Sequence, residues 1–208
     1  MNIISATFLI SSPEWNKCPA PDKPEFAFIG RSNVGKSSLL NMLCQKQQLA
    51  KTSATPGKTQ LINHFLIESE EEQAARKKRS QWYLADLPGY GYAKVAQGKR
   101  RQWKQMIEQY LRKRQNLMNV FVLIDSRLSP QNIDLEFIKS LGEWQVPFAL
   151  VFTKSDKTTQ REVSAHVKQF LEALRKDWEY LPPHFVTSAV KQRGRKEMLE
   201  CMKEIMEG

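Results

Sequence analysis

Glu25-Phe26-Ala27-Phe28-Ile29-Gly30-Arg31-Ser32-Asn33-Val34-Gly35-Lys36-Ser37 opens as a short apolar run and breaks into a loop with a glycine at each end and a Lys-Ser pair behind it. The run 25–30 reads as a buried strand entering a turn, and Leu39, Leu40 and Leu43 give the stretch from Lys36 to about Gln47 one apolar helical side. Gly30 to Ser37 fits G-x-x-x-x-G-K-[ST], the phosphate-binding P-loop. In such a loop backbone N–H groups turn inward around phosphate oxygens, and a Cβ at Gly30 or Gly35 would obstruct them. The helix start adds a favourable dipole for the anion. Lys36 is then placed to reach the β- and γ-phosphates, and the Ser37 hydroxyl to sit on magnesium.

Outward from this loop, strands alternate with helices. IISATFLI (3–10) reads as a strand, followed by an extended stretch carrying Pro13, Pro19, Pro21 and Pro24. QLINHFLI (60–67) and QWYLAD (81–86) are β-rich and flank four acids followed by four bases (68–80). That pattern predicts an antiparallel hairpin with a long, solvated tip. NVFVLID (119–125) and PFALVFTKSD (147–156) are continuous apolar runs, the mark of strands buried on both faces, and HFVTSA (184–189) supplies a last strand. Helical spacing marks 131–144, 159–176 and 193–206. The expected fold is α/β: a three-layer P-loop NTPase with a mostly parallel sheet, one antiparallel edge hairpin and helices on both faces. Residues 1–24 are expected as a strand and Pro-rich extension packed on a nucleotide-binding domain of residues 25–208, one domain overall.

A second phosphate element is expected at Asp86-Leu87-Pro88-Gly89. An aspartate ending a neighbouring strand is placed to hold the magnesium shell through water, and the Gly89 N–H to meet a γ-phosphate. Loss of that phosphate would release GYGYAK, an order–disorder switch. Five of the nine glycines (Gly30, Gly35, Gly57, Gly89, Gly91) fall in these loops. The base is decided by Thr153-Lys154-Ser155-Asp156. Asp156 can accept from the ring N–H and exocyclic amine of guanine, a donor pair adenine lacks. The stem of Lys154 can cover the base face, and Val186-Thr187-Ser188 can offer backbone N–H to the guanine carbonyl. Thr52, Thr55 and Thr59 are equal candidates for a second magnesium hydroxyl on the residues alone.

Charge is concentrated. Of a net +10, the segment from Lys94 to Arg114 carries +7: Lys94, Lys99, Arg100, Arg101, Lys104, Arg112, Lys113 and Arg114 against Glu108. A basic face with so few acids points to nucleic acid, and predicts salt-sensitive affinity without sequence specificity. Trp103 and Tyr110, seven apart, lie on one face of this helix and suit burial against the sheet better than base stacking. No apolar run reaches the ~18 residues a membrane span needs, and no charged n-region or long apolar h-region marks a secretory leader. Cys18, Cys44 and Cys201 have no disulfide or metal-ligand pattern, which implies reduced thiols in a cytoplasmic protein. His64, His166 and His184 are scattered without ligand spacing. Ser126 and Arg127, after a strand ending in Asp125, carry no assigned role.

GRSNVGKSSLLN, TSATPGKTQLIN, WYLADLPGYGYA and TKSDK together resemble the EngB/YsxC family of bacterial ribosome-biogenesis GTP-binding proteins, from about residue 4 to the end. The resemblance implies a GTPase switch acting on the large ribosomal subunit or its precursor and on ribosomal RNA, with a link to cell division. It implies Mg2+ as cofactor, no membrane partner and a monomer. It carries GTP binding onto Gly30, Arg31, Ser32, Asn33, Val34, Gly35, Lys36 and Ser37. Gly57, Lys58, Thr59, Gln60 and Leu61 become switch I, with Thr59 as the second magnesium hydroxyl. Thr153 stands where most GTPases have asparagine, as is common in this family. Tyr90 follows Gly89 where many GTPases place a water-orienting glutamine, so slow hydrolysis assisted by an added element is expected. Asn33 resembles the potassium-binding asparagine of cation-activated relatives, which makes K+ the candidate for that element alongside Lys36 and Gly89. Two rivals stay open: a GTP-dependent switch for a protein or membrane partner without RNA, and a P-loop nucleotide kinase.

Overall fold

The computed structural model describes residues 1–50, 61–73, 76–91 and 97–208. In chain order the elements are β1 (Asn2–Ser12), β2 (Glu25–Gly30), α1 (Lys36–Leu43), β3 (Ile62–Gln73), β4 (Arg76–Asp86), α2 (Gln97–Lys113), β5 (Leu117–Asp125), α3 (Asn132–Glu143), β6 (Phe148–Thr153), α4 (Gln160–Leu174), β7 (His184–Val186) and α5 (Arg195–Glu207). The seven strands form one sheet in the order β1-β3-β4-β2-β5-β6-β7. Only β3 runs against its neighbours; β4, β2, β5, β6 and β7 are mutually parallel. The mostly parallel sheet is as expected, but the hairpin is not at the edge. β1 pairs antiparallel with β3 and takes that place. Its register shifts between Ile3 and Ser5 and between Phe8 and Ile10, the bulged irregularity common in edge strands.

Alternation along the inner strands sorts the core into two layers. In β2, Phe26 and Phe28 face one side and join Leu39, Leu40 and Leu43 of α1 with Met198, Leu199 and Met202 of α5. Ala27 and Ile29 face the other, with Ile107 and Leu111 of α2, Ile138 and Leu141 of α3, and Val163, Val167 and Phe170 of α4. With both faces covered, these strands read as unbroken apolar runs. Helix α1 stops at Leu43, short of Gln47, and Gln45 then turns left-handed (φ 51). No helix among the described residues is long and apolar enough to cross a membrane.

The stretch 68–80 departs from expectation. Solvated it is, with Glu72, Lys77, Lys78 and Arg79 exposed, but its described residues are strand rather than an unpaired connection: β3 and β4 stay paired from Asn63↔Asp86 out to Gln73↔Arg76. Acids followed by equal numbers of bases are a mirror, so folding back sets Glu70 opposite Arg79, Glu71 opposite Lys78 and Glu72 opposite Lys77. Lys77 Nζ lies 2.7 Å from Glu70 Oε1, and Gln81 donates to Glu68 over 2.9 Å. The inner face is anchored too, since buried Trp82 donates its indole N–H to Ser69 Oγ. Opposite charges across a ladder are each worth about 0.2–1 kcal/mol, and like charges cost as much. Glu70→Lys, set between Lys77 and Arg79, is therefore expected to lower the urea midpoint at low salt. Adding Lys77→Glu should recover most of that loss, whereas an unpaired tip would register neither change.

Candidate nucleotide-binding site

The parallel strands end together, at Gly30, Asp86, Asp125, Thr153 and Val186, and the sequence-predicted residues gather at that edge. A Cβ at Gly30 would lie 2.9 Å from the Leu123 carbonyl oxygen and 2.8 Å from Val34 Cγ1. Close packing on β5 therefore demands this glycine. At Gly35, the N-cap of α1, the demand is conformational: φ is +102°, while the nearest atoms to a Cβ are 3.6 Å away. Both glycines are required, though the described atoms assign each a different reason from a shared phosphate contact.

Lys36 Nζ is ion-paired with Asp86 Oδ1 across the start of α1 and the end of β4. Burial pushes the Lys36 ammonium down to about 7, so arriving phosphates meet a lysine whose charge they stabilise. Ser37 follows in the first helical turn, half-buried. Its hydroxyl and the Asp86 carboxylate are hard oxygen donors of the kind Mg2+ takes, beside substrate phosphates. No three His, Cys, Asp or Glu side chains converge as a metal cage among the described residues.

At the base end, Thr153 donates its hydroxyl to the Val34 carbonyl, tying β6 to the P-loop. Lys154 sits left-handed (φ 61), and its ammonium bonds the Asn33 carbonyl and, over 2.8 Å, Asp125 Oδ2. Asp125 is gripped by Arg127 as well, at 2.7 and 2.9 Å. Burial alone would raise the Asp125 carboxyl, but the bonds from Arg127 and Lys154 carry it down to about 2. Ser188 donates to Asp156 Oδ1 over 2.7 Å and lowers that carboxyl. The 186–188 turn is seated by Ser155 N–H on the Thr187 carbonyl and by Thr187 N–H on that of Phe152. Gly194 passes so close beneath it that a Cβ would lie 2.8 Å from the Val186 oxygen.

Leu87 donates its N–H to the Phe28 carbonyl, and Pro88 and Gly89 are buried behind it. Tyr90 gives its hydroxyl to Asp134 Oδ1 over 2.9 Å and stacks on Phe137, ring centroids 4.2 Å apart. Burial raises the Tyr90 phenol well above its usual range and also raises the Asp134 carboxyl, against the pull of Arg31. Gly57, Lys58, Thr59 and Gln60 lie outside the described residues; Leu61 is exposed just before β3. Asp125, Arg127, Asp134 and Gly194 are the residues sequence reasoning left without a role. Asp125 ends an apolar strand as Asp86 does, a signal that was available.

On α2, Arg101, Lys104, Arg112 and Lys113 are exposed. Lys94 lies outside the described residues, as do the side chains of Lys99 and Arg100. Arg114 does not belong to this face. It is buried, bonds Glu25 through Nε at 2.8 Å and Nη2 at 2.7 Å, and reaches the Pro19 carbonyl with Nη1. Helical rotation turns residue 114 inward beside Tyr110, which is also buried and donates to Glu25. Trp103 is half-buried and lines a cleft of 380 Å³ between the Gly89–Gly91 loop, α2 and α3.

Residues 25–154 match the family described as 50S ribosome-binding GTPase. The probable GTP-binding protein EngB of Phocaeicola vulgatus is 52% identical over 99% of this chain and 97% of its own length. That of Flavobacterium psychrophilum is 50% identical over 99% of this chain and 95% of its own. Among solved structures, a probable GTP-binding protein EngB superposes with a TM-score of 0.60 at 22% identity, over 88% of this chain and 98% of its own. Aquifex aeolicus Era bound to GDP.AlF4- gives 0.66 at 20%, over 88% and 56%. These likenesses agree with the P-loop, the DLPG turn and the Asp156 end of β6: the chain is a GTPase and belongs to the EngB family of GTP-binding proteins.

Proposed function

We propose that this GTPase is a slow molecular switch of large ribosomal subunit assembly, docking on ribosomal RNA through the exposed basic face of α2. The observation that carries this reading is the position of that face. Arg101 and Lys104 lie on the helix that follows the DLPG loop in the chain, so a phosphate-dependent move of the loop is passed directly to the RNA-facing side chains. The description of the matched family as 50S ribosome-binding GTPase supports the subunit. The solved complex of Era with nucleotides of 16S ribosomal RNA supports RNA as the class of partner. The link to cell division, a cytoplasmic location and a monomeric state belong to the same reading.

In this reading Gly30–Ser37 cradle the phosphates and Lys36 leaves Asp86 for the β- and γ-oxygens. Asp156 accepts from the guanine edge with both oxygens while Ser188 steadies the carboxylate through a second bond to Oδ1. Ser37, Thr59 and, through water, Asp86 would hold a magnesium ion, which would neutralise charge on the phosphate oxygens. Tyr90 stands where many GTPases have glutamine, and a phenol cannot orient water as an amide does, so turnover is slow. Potassium at Asn33 is the proposed accelerator.

Co-sedimentation with separated ribosomal subunits tests the switch. With a non-hydrolysable GTP analogue, binding to the large subunit is expected to fall steeply between low and high salt, and to be weaker with GDP. Binding to no subunit in any nucleotide state, or binding indifferent to salt, would rule out the RNA face. GTP turnover is expected to be faster in KCl than in NaCl; equal rates with and without subunits would remove potassium from the account.

A further inference from the structure

Tyr90, Asp134 and Arg31 come from three different parts of the site. Tyr90 ends the DLPG loop, Asp134 sits in the first turn of α3, and Arg31 is in the P-loop. Asp134 is buried, at 1% exposure, and its Oδ1 takes both the Tyr90 hydroxyl at 2.9 Å and Arg31 Nε at 3.4 Å. The backbones of Arg31 and Tyr90 also meet in an isolated parallel bridge. Next along the loop, Gly91 (φ +84°) passes so close to α3 that a Cβ would lie 2.5 Å from Ile133 Cδ1. The loop is thus fastened to the start of α3 by a hydrogen bond, a ring stack and a glycine contact.

Packing alone does not hold it there. The cleft of 380 Å³ lies directly against Gly89, Tyr90 and Gly91, with Trp103, Ile107 and Trp144 on its other walls. On the cleft side few atoms press on the loop, so its hold on the molecule there is its contact with α3. Meanwhile Gly89 is buried, and the other end of the loop is tied through Asp86 to Lys36. For Lys36 and Asp86 to serve phosphates and metal they must part, and only three residues separate Asp86 from Tyr90. A move at one end reaches the other.

We infer that Asp134 is a positioning residue, a latch that holds Tyr90, and through it Gly89, against α3 until the γ-phosphate draws the loop away. The inference rests on reading Gly89 as a γ-phosphate contact. A contact made in one loop position and broken in the other penalises the second by its own free energy, and removing it favours the GTP-bound form over the GDP-bound form.

Titration of the full chain with fluorescent GDP and a fluorescent non-hydrolysable GTP analogue tests this. Tyr90→Phe removes the hydroxyl and keeps the ring on Phe137; Asp134→Asn removes the charge facing Arg31. A hydrogen bond to a charged carboxylate sets the expected size: the ratio of analogue to GDP affinity rises about ten- to a hundredfold in Tyr90→Phe. Asp134→Asn loses the charge but keeps an oxygen that can accept the Tyr90 hydroxyl, so it should raise the ratio less than Tyr90→Phe, and the double variant no further than Tyr90→Phe alone, since Asp134 acts on the loop through Tyr90. GDP affinity of Tyr90→Phe should stay close to that of the parent, and its melting temperature should fall by only several degrees, since the folded form loses the same bond. A purely structural role would weaken both nucleotides together and leave the ratio unmoved. An unmoved ratio in folded Tyr90→Phe overturns the latch, and a lowered ratio assigns these contacts to the GTP-bound form and overturns it equally. If Asp134→Asn fails to fold, the conservative Tyr90→Phe still decides. A parent chain that binds GDP but not the analogue overturns the reading of Gly89, a failure distinct from an unmoved ratio, and the latch falls with it.

Discussion

Asp156→Asn is expected to weaken GTP binding by about 10²- to 10⁴-fold and to move the preference of the site toward xanthosine triphosphate. Guanine offers two adjacent donors, the ring N–H and the exocyclic amine. A carboxylate accepts both, and each such charge-assisted bond is worth about 1.5–3 kcal/mol. An asparagine amide accepts one and presents N–H to the other, donor against donor. Xanthine has an oxygen where guanine has the amine, so the amide meets it correctly. Ser188 gives no reason for misfolding, because its hydroxyl, now 2.7 Å from Asp156 Oδ1, can donate or accept after the change. Displacement of fluorescent GDP by GTP, XTP and ATP reads the outcome. Unchanged GTP affinity would mean that the base is not read at Asp156. A loss for GTP without a gain for XTP would make the carboxylate a brace of the 153–156 turn instead. Any gain for ATP would contradict the donor-pair argument, since adenine presents no matching pair.

Motifs were legible where function needs a particular backbone and the residues that make it are consecutive. Strand, glycine turn and helix around Gly30–Ser37 are of this kind, and so is the apolar strand that delivers Asp156. Their partners were not legible, because they come from far along the chain. Lys154 reaches the Asn33 carbonyl across 121 positions, and Tyr90 finds Asp134 across 44. Neither distance leaves a periodicity to read. The stretch 68–80 failed for another reason. Composition marks it as solvated, yet the order of its charges specifies pairing, and order is lost when charges are only counted. The reverse error befell the basic helix. Counting placed Arg114 with its neighbours on one face, but a helix turns about 100° per residue and does not keep a run of bases together.

Arg114→Ala should consequently behave as a core substitution, costing about 3–5 kcal/mol at neutral pH. Glu25 is buried, and Arg114 meets it with two bonds of 2.8 and 2.7 Å. Around the same carboxylate stand the Tyr110 hydroxyl and the His64 ring, whose Nε2 is 3.2 Å from Oε2. Burial raises the Glu25 carboxyl, but the contacts from His64 and Arg114 outweigh it and bring it to about 2, from an ordinary 4.5. A carboxyl depressed on folding contributes stability that is complete above its unfolded value and is lost as pH falls toward its folded one. For the parent chain that window runs from 4.5 down to about 2. Without Arg114 the folded value rises, because His64 is left to oppose burial without the guanidinium, and neutralising Glu25 in acid costs the variant less than the parent. The stability gap between the two chains should therefore narrow as pH falls from 4.5 toward 2, which paired urea titrations above and within that window would read. Arg101→Ala on the exposed face supplies the contrast. It should leave stability within about 0.5 kcal/mol, while reducing the salt dependence of RNA binding by roughly one phosphate contact. Should Arg114→Ala prove as stable as Arg101→Ala and lose RNA affinity instead, Arg114 would return to the basic face and the buried pair would be wrong. A gap that stays constant with pH would mean that the lost stability lies elsewhere than in the Glu25 charge.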